Sequence, residues 1–233
     1  MGCDIHTAVE FTRNGDVWEL AGERMVYIWN AAGGGKGVEV SNWHICPPPD
    51  LVFELDKVEK ARYAENEFED AKPDYRRPIW HGRNYDLFAA LAGVRNYDEI
   101  TPMSEERGWP ENLSEPLARG WPEVGDKAFD RPARKPWKGD PDLHTPSYFT
   151  LEELLLFDYS RVCGKSTFKL KRPVERTDFA PRTMSVKKKP VTYREYMGDM
   201  GDRFFADVEV LRRWADGRGL DASWVRVVFA FDN

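Results

Sequence analysis

Residues 3 to 11 alternate strictly, with Cys3, Ile5, Thr7, Val9 and Phe11 on one side and Asp4, His6, Ala8 and Glu10 on the other. A period of two is the signature of a β-strand with one face turned to a core. Asn14-Gly15 follows as a hairpin turn, and Val17-Trp18-Glu19-Leu20 reads as the returning partner. At the far end, Trp224 to Phe231 is a run of β-branched and aromatic residues, so both ends of the sequence are expected in one antiparallel sheet.

The helical signals are local and sharper. Asn84 stands as an N-cap before Tyr85-Asp86-Leu87-Phe88-Ala89-Ala90-Leu91-Ala92, and Gly93 supplies a left-handed stop. Thr150 with Glu153 forms a capping box that opens Leu151 to Phe157. A second box, Thr192 with Glu195, opens a stretch predicted to break between Gly198 and Gly201 and to resume from Phe204 to Trp214. Residues 55 to 71 are charged and compatible with a helix. The class that fits is α+β, an antiparallel sheet containing both termini with helices packed on one face, and residues 1 to 233 are read as a single domain.

Two stretches depart from this pattern. Residues 101 to 146 hold eight of the sixteen prolines, together with Trp109, Trp121 and Trp137, and have no sustained period. So long an irregular segment is expected to serve as an ordered lid or pocket wall, or to wrap over the core. Residues 165 to 190 carry nine Lys and Arg against Glu175 and Asp178, so the chain's net charge of −6 is segregated. Ser166 to Lys171 alternates as a strand and Met184 to Lys189 could be its hairpin partner. The basic run could face phosphates, or form a solvated surface.

The overall acidity, with a pI near 5.4, argues against a protein that coats nucleic acid. An aromatic content of 13% excludes a disordered chain despite a mean hydropathy of −0.64. No window is long and apolar enough for a membrane helix, and neither a secretory leader nor a complete myristoylation pattern opens the sequence, since His6 stands where that pattern wants Ser or Thr. Cys3, Cys46 and Cys163 are widely spaced and form no C-x-x-C pair, as expected of reduced thiols in a cytosol.

Four groups of residues could carry chemistry. Asp4 and His6 share a strand face and could ligate a cation, with His81 and His144 as completions; the alternative is a structural Asp–His hydrogen bond. In His81-Gly82-Arg83-Asn84-Tyr85-Asp86 a guanidinium meets the start of a helix, which suits a phosphate, with Arg95 nearby in sequence; the alternative is an ordinary cap with a surface arginine. His144, Ser147 and Tyr148 precede the second capping box and could approach a ribose or a base. Gly33-Gly34-Gly35-Lys36-Gly37 has the spacing of neither phosphate-binding glycine loop and reads as a hairpin tip.

Taken together, Met1-Gly2-Cys3-Asp4-Ile5-His6, Gly82 to Phe88 with Leu91 to Asn96, His144 to Leu155, and Phe229-Ala230-Phe231-Asp232-Asn233 resemble a family of uncharacterised bacteriophage and prophage proteins. Similar proteins often have His-Ser-x-Ser where this one has His144-Thr145-Pro146-Ser147, and often a polar residue where this one has Ala8. The resemblance implies a phage protein acting in the host cytoplasm on nucleotides, host regulators or defence signals. The leading expectation is a cytoplasmic protein that binds a phosphorylated, nucleotide-like molecule and sequesters a bacterial immune signal. Its ligand-binding residues would be His81, Arg83, Asn84, Tyr85, Arg95, His144, Ser147 and Tyr148, with no cofactor. The enzymatic alternative is a phosphodiesterase using a divalent metal on Asp4, His6, His81 and His144, with Asp86 or Asp142 as base. A third reading is an inhibitor of a host protein or a minor structural phage component, and self-association is compatible with all three.

Overall fold

The computed structural model describes residues 3–30, 36–53, 77–80, 83–120, 143–166 and 189–232. They form an α+β structure in which strands from both ends of the chain lie side by side. The strands are β1 (Ile5–Thr12), β2 (Trp18–Leu20), β3 (Glu23–Asn30), β4 (Lys36–Cys46), β5 (His144–Thr150), β6 (Val162–Ser166), β7 (Lys189–Thr192) and β8 (Val225–Phe231). The helices are α1 (Tyr85–Ala92), α2 (Glu115–Gly120), α3 (Leu151–Leu156), α4 (Tyr193–Tyr196) and α5 (Gly198–Gly217). Among the described residues, no helix is long and apolar enough to cross a membrane.

The chain divides into two compact units. The first, residues 1–83, 106–157 and 203–233, is built on a four-stranded antiparallel sheet in the order β2-β1-β8-β5. β8 is central and all seven of its residues are buried, which is why its apolar run shows little alternation. β1 pairs with it from Ile5 opposite Phe231 to Phe11 opposite Val225.

That register defines two faces. Ile5, Thr7, Val9 and Phe11 share one with Val225, Val227, Phe229 and Phe231. It receives α5, whose Trp214 meets Phe11 edge-on, and the segment 77–80, whose Trp80 lies edge-on to Phe229 and stacks on Phe204 of α5. On the other face Ala8 and Val228 pack with Ile45 and Leu117, flanked by Leu20, Trp109, Leu113 and Tyr148. The described part of the Pro-rich stretch therefore wraps the core, and the short α2 covers the face opposite α5.

Burial of that second face carries a polar consequence. Glu10, on the polar side of β1's alternation, is fully buried, and its carboxylate accepts from Arg226 Nε (2.7 Å) and the Ser114 backbone N–H (2.7 Å). Arg226 also donates to the Asn112 carbonyl and side chain. Its guanidinium lies 3.7 Å from the centre of the Trp18 ring. Desolvation lowers the guanidinium's proton affinity, opposed by Glu10.

The second unit, residues 84–105 and 158–202, contains α1, α4 and the β6–β7 hairpin. Asn84 caps α1 by accepting from Leu87 N–H, and Gly93 closes it at φ +72° with its N–H on the carbonyls of Ala89 and Phe88. The Tyr193 hydroxyl donates to the carbonyls of Thr101 and Pro102, and Thr101 N–H donates to the Cys163 carbonyl. Both predicted capping boxes are present, Thr150 with Glu153 and Thr192 with Glu195.

Several expectations need adjustment or cannot be followed. α3 ends at Leu156 with Phe157 as its C-cap, and the break expected after the Thr192 box falls at Met197, between α4 and α5, rather than over Gly198 to Gly201, which α5 includes because glycine in a helix is an entropic cost of about 1 kcal/mol rather than a stop. The helix expected at 55–71 lies outside the described residues, as do Trp121, Trp137, most of the basic stretch and Gly33 to Gly35, although β3 and β4 pair on either side of the last.

Candidate functional site

β1 begins where β8 ends, so the first and last parts of the sheet meet at one edge of the first unit. Asp232 N–H donates to the Asp4 carbonyl (3.1 Å), continuing the ladder by one residue. In return Asp4 N–H donates to Asp232 Oδ1 (2.7 Å). The other oxygen, Asp232 Oδ2, lies 3.1 Å from His6 Nε2. An ionised carboxylate only accepts, so this contact places a proton on His6 Nε2.

Asp4's own carboxylate faces Arg83. The guanidinium donates from Nε to Oδ1 (2.9 Å) and from Nη2 to Oδ2 (2.8 Å), a two-point fork. Burial is graded across the cluster, with side-chain exposures of 9% for His6, 30% for Asp232, 44% for Asp4 and 51% for Arg83. The imidazole end is set into the fold, while the guanidinium end is open to water. With His6 neutral, these four side chains sum to one negative charge.

Residues 77–80, which precede Arg83 in the chain, are constrained. Trp80 has φ +55°, uncommon for a bulky side chain, and is 3% exposed. Its backbone N–H donates to Asp207 Oδ2 (3.1 Å), and Asp207 also takes a two-point bond from Arg77. Thr7 on β1 donates its hydroxyl to the Ile79 carbonyl at 2.6 Å.

Asp4, His6 and Arg83 are thus brought together, and the expected Asp–His hydrogen bond on this face is made with Asp232 rather than with Asp4. His144 is not brought to them. Its register opposite Phe231, and the stacking of the two rings, put it on the opposite face of the sheet from His6, which pairs with Ala230. A bulge follows, with Thr145 at φ +49° and its hydroxyl 3.0 Å from His144 Nδ1. Among the described residues, no group of three His, Cys, Asp or Glu is placed to hold a metal ion. His81 and Asp142 lie outside the described residues.

The other expected ligand residues have local duties. Ser147 is buried and its hydroxyl oxygen accepts from Arg107 N–H (3.4 Å). The Tyr148 ring lies beneath the guanidinium groups of Arg107 and Arg226. In the second unit Asn84 caps α1, Tyr85 packs edge-on against Phe88 and Tyr97, and Arg95 occupies a left-handed position after the Gly93 stop. Asp86 in the same unit has its proton affinity raised, first by burial and then by Asp98.

The cavity lined by Thr7, Ala8, Val9, Ala21, Ile45, Pro47, Phe53, Pro78 and Ile79 has a volume of about 10 Å³, room for one water and far too small for a nucleotide.

The residue that sequence reasoning missed is Asp232, the partner that fixes His6. Its signal was present, since it lies in the closing Phe-Asp-Asn stretch one position beyond the predicted strand. No family model, curated protein or solved structure matches the chain.

Proposed function

We propose that the chain binds a phosphorylated, nucleotide-like small molecule at this end of the sheet, with Arg83 as the group that meets the phosphate. The observation that carries the reading is the two-point fork from Arg83 to Asp4, which uses the edge of the guanidinium that pairs with two oxygens of a phosphate equally well. Both side chains are about half exposed, so opening the pair costs little and a ligand phosphate can exchange with the carboxylate. His6, two positions along the chain from Asp4, is held by Asp232 at the buried end of the same cluster.

Three of the stretches that resemble phage and prophage proteins contribute to this one cluster: Asp4 and His6 from the first, Arg83 from the second and Asp232 from the last. That resemblance supports a phage-encoded protein in the host cytoplasm, and a bacterial immune signal as the molecule sequestered.

The test incubates purified protein with cyclic dinucleotides, ADP-ribose derivatives and common nucleotides, and follows free ligand by mass spectrometry before and after heat denaturation. Disappearance followed by intact recovery on heating is the expected result. Conversion to a new mass would replace sequestration by hydrolysis, and no change for any compound would overturn the reading in favour of a protein partner.

A further inference from the structure

We infer that Asp207, on α5, is a positioning residue for Arg83, acting through the backbone of Trp80; as a statement about ligand binding, this rests on the proposed role of Arg83. Asp207 is 2% exposed, and its carboxylate bonds to Arg77 and Trp80 converge on the segment 77–80. It accepts from Arg77 at both oxygens (2.9 and 2.7 Å) and from Trp80 N–H. Arg77, 2% exposed itself, turns back to the Pro78 carbonyl.

An ion pair this deeply buried is a poor source of stability, because desolvating both charges offsets their attraction and apolar residues of similar size commonly serve as well. What the pair supplies is geometry. Trp80 is held at a positive φ that its side chain disfavours, and such strain persists only where surrounding contacts over-determine it. Those contacts come from three sides. Asp207 fixes the Trp80 N–H, Thr7 fixes the Ile79 carbonyl, and Phe204 and Phe229 hold the indole by stacking and edge contact. The indole keeps this place although its Nε1 has no acceptor among the described residues.

Three residues further on, Arg83 meets Asp4. With so short a span between them, the place and direction in which the chain leaves Trp80 limit where the Arg83 guanidinium can meet Asp4. Thr7 and Asp4 both belong to the leading segment of the chain, so the sheet that presents the carboxylate also anchors the approach of the arginine.

Two double variants separate positioning from mere stability. Arg77→Met with Asp207→Asn removes the ion pair but leaves an acceptor for Trp80 N–H. Arg77→Met with Asp207→Leu removes both. Arg83 is then labelled with phenylglyoxal and its rate of modification read by peptide mass spectrometry. The expected result is at least a threefold faster labelling of Arg83 in the Leu double variant, with the Asn double variant close to the wild type. Equal labelling of the two doubles, whether changed or unchanged, would overturn the inference. If either double fails to fold, Thr7→Val, which loses only the bond to Ile79, decides: faster labelling of Arg83 supports the inference and an unchanged rate overturns it. Where the wild type retains a nucleotide from the panel, the Leu double variant should bind it at least tenfold more weakly, and equal affinities of the two doubles would overturn the inference. Where the wild type retains none, the ligand reading fails while the labelling still decides the placement of Arg83.

Discussion

Arg83 turns the Nε–Nη2 edge of its guanidinium onto both carboxylate oxygens of Asp4, a residue 79 positions earlier, at 2.9 and 2.8 Å. The chain thereby fills with its own carboxylate the place in which the proposed function puts a phosphate.

Substitutions at the two positions should therefore act in opposite directions. Asp4→Asn removes the competing charge and is expected to tighten binding of whichever nucleotide the panel identifies, by up to about fivefold, the worth of an exposed ion pair. Arg83→Ala is expected to weaken it at least about tenfold, since a hydrogen bond to a charged group contributes roughly 1.5–3 kcal/mol. Isothermal titration at low and physiological salt measures both, and weaker binding by Asp4→Asn would count against exchange. Thermal denaturation should separate either variant from the wild type by less than about 1 kcal/mol after allowing for solvent screening.

Glu10 and Arg226 should behave quite differently, because both are buried. Arg226→Met leaves the Glu10 carboxylate without its counter-charge and is expected to cost about 3–5 kcal/mol in urea denaturation. The double change Glu10→Leu with Arg226→Met should recover much of that loss. Because Ser114 N–H donates to Glu10 and Asn112 accepts from Arg226, limited proteolysis of the single variant is expected to open residues 106–120 before the rest of the chain.

The acid response of the second unit should carry the mark of Asp86. Burial and the neighbouring Asp98 raise its folded proton affinity above that of an ordinary aspartate. A raised carboxyl is best accommodated neutral, so its contribution is fully present below the unfolded value and is lost as pH rises through the folded one. Relative to the wild type, Asp86→Asn should gain stability progressively as pH rises above about 3.8, with no relative gain below it. Denaturation midpoints of the two proteins across that range measure the difference, and a constant offset would show that Asp86 titrates alike in both states.

Gly164 is set by close approach rather than by backbone freedom. A Cβ at this position would lie 3.1 Å from both Cα and Cγ2 of Ile100. Since Thr101 N–H is bonded to the Cys163 carbonyl at 2.7 Å, the two segments cannot easily part. Gly164→Ala is expected to destabilise by about 1–3 kcal/mol, the usual cost of overpacking, as read from the urea midpoint.

What could be read from the sequence follows from the range of each interaction. The caps at Asn84, Thr150 and Thr192 are complete within three residues, so no knowledge of the fold was needed to place the starts of α1, α3 and α4. The alternation at residues 3 to 11 likewise contained β1. The break expected over Gly198 to Gly201 falls instead at Met197, because glycines are weak helix breakers when the rest of a helix packs, as Phe204, Val208, Leu211 and Trp214 do.

The strands at both ends of the chain, the helix starts at their caps and the projection of Asp4 and His6 to one side are all local properties, because each depends on neighbours a few positions away. The burial of Glu10 against Arg226, the place of His144 across the sheet from His6, the hold of Asp232 on the imidazole and the meeting of Arg83 with Asp4 arise only once the chain is folded. Those relationships join residues tens to hundreds of positions apart, and they are set by strand register and by the burial of both sheet faces. Charge and hydrogen-bonding capacity are written in the residue; the partner that satisfies them is chosen by the packing.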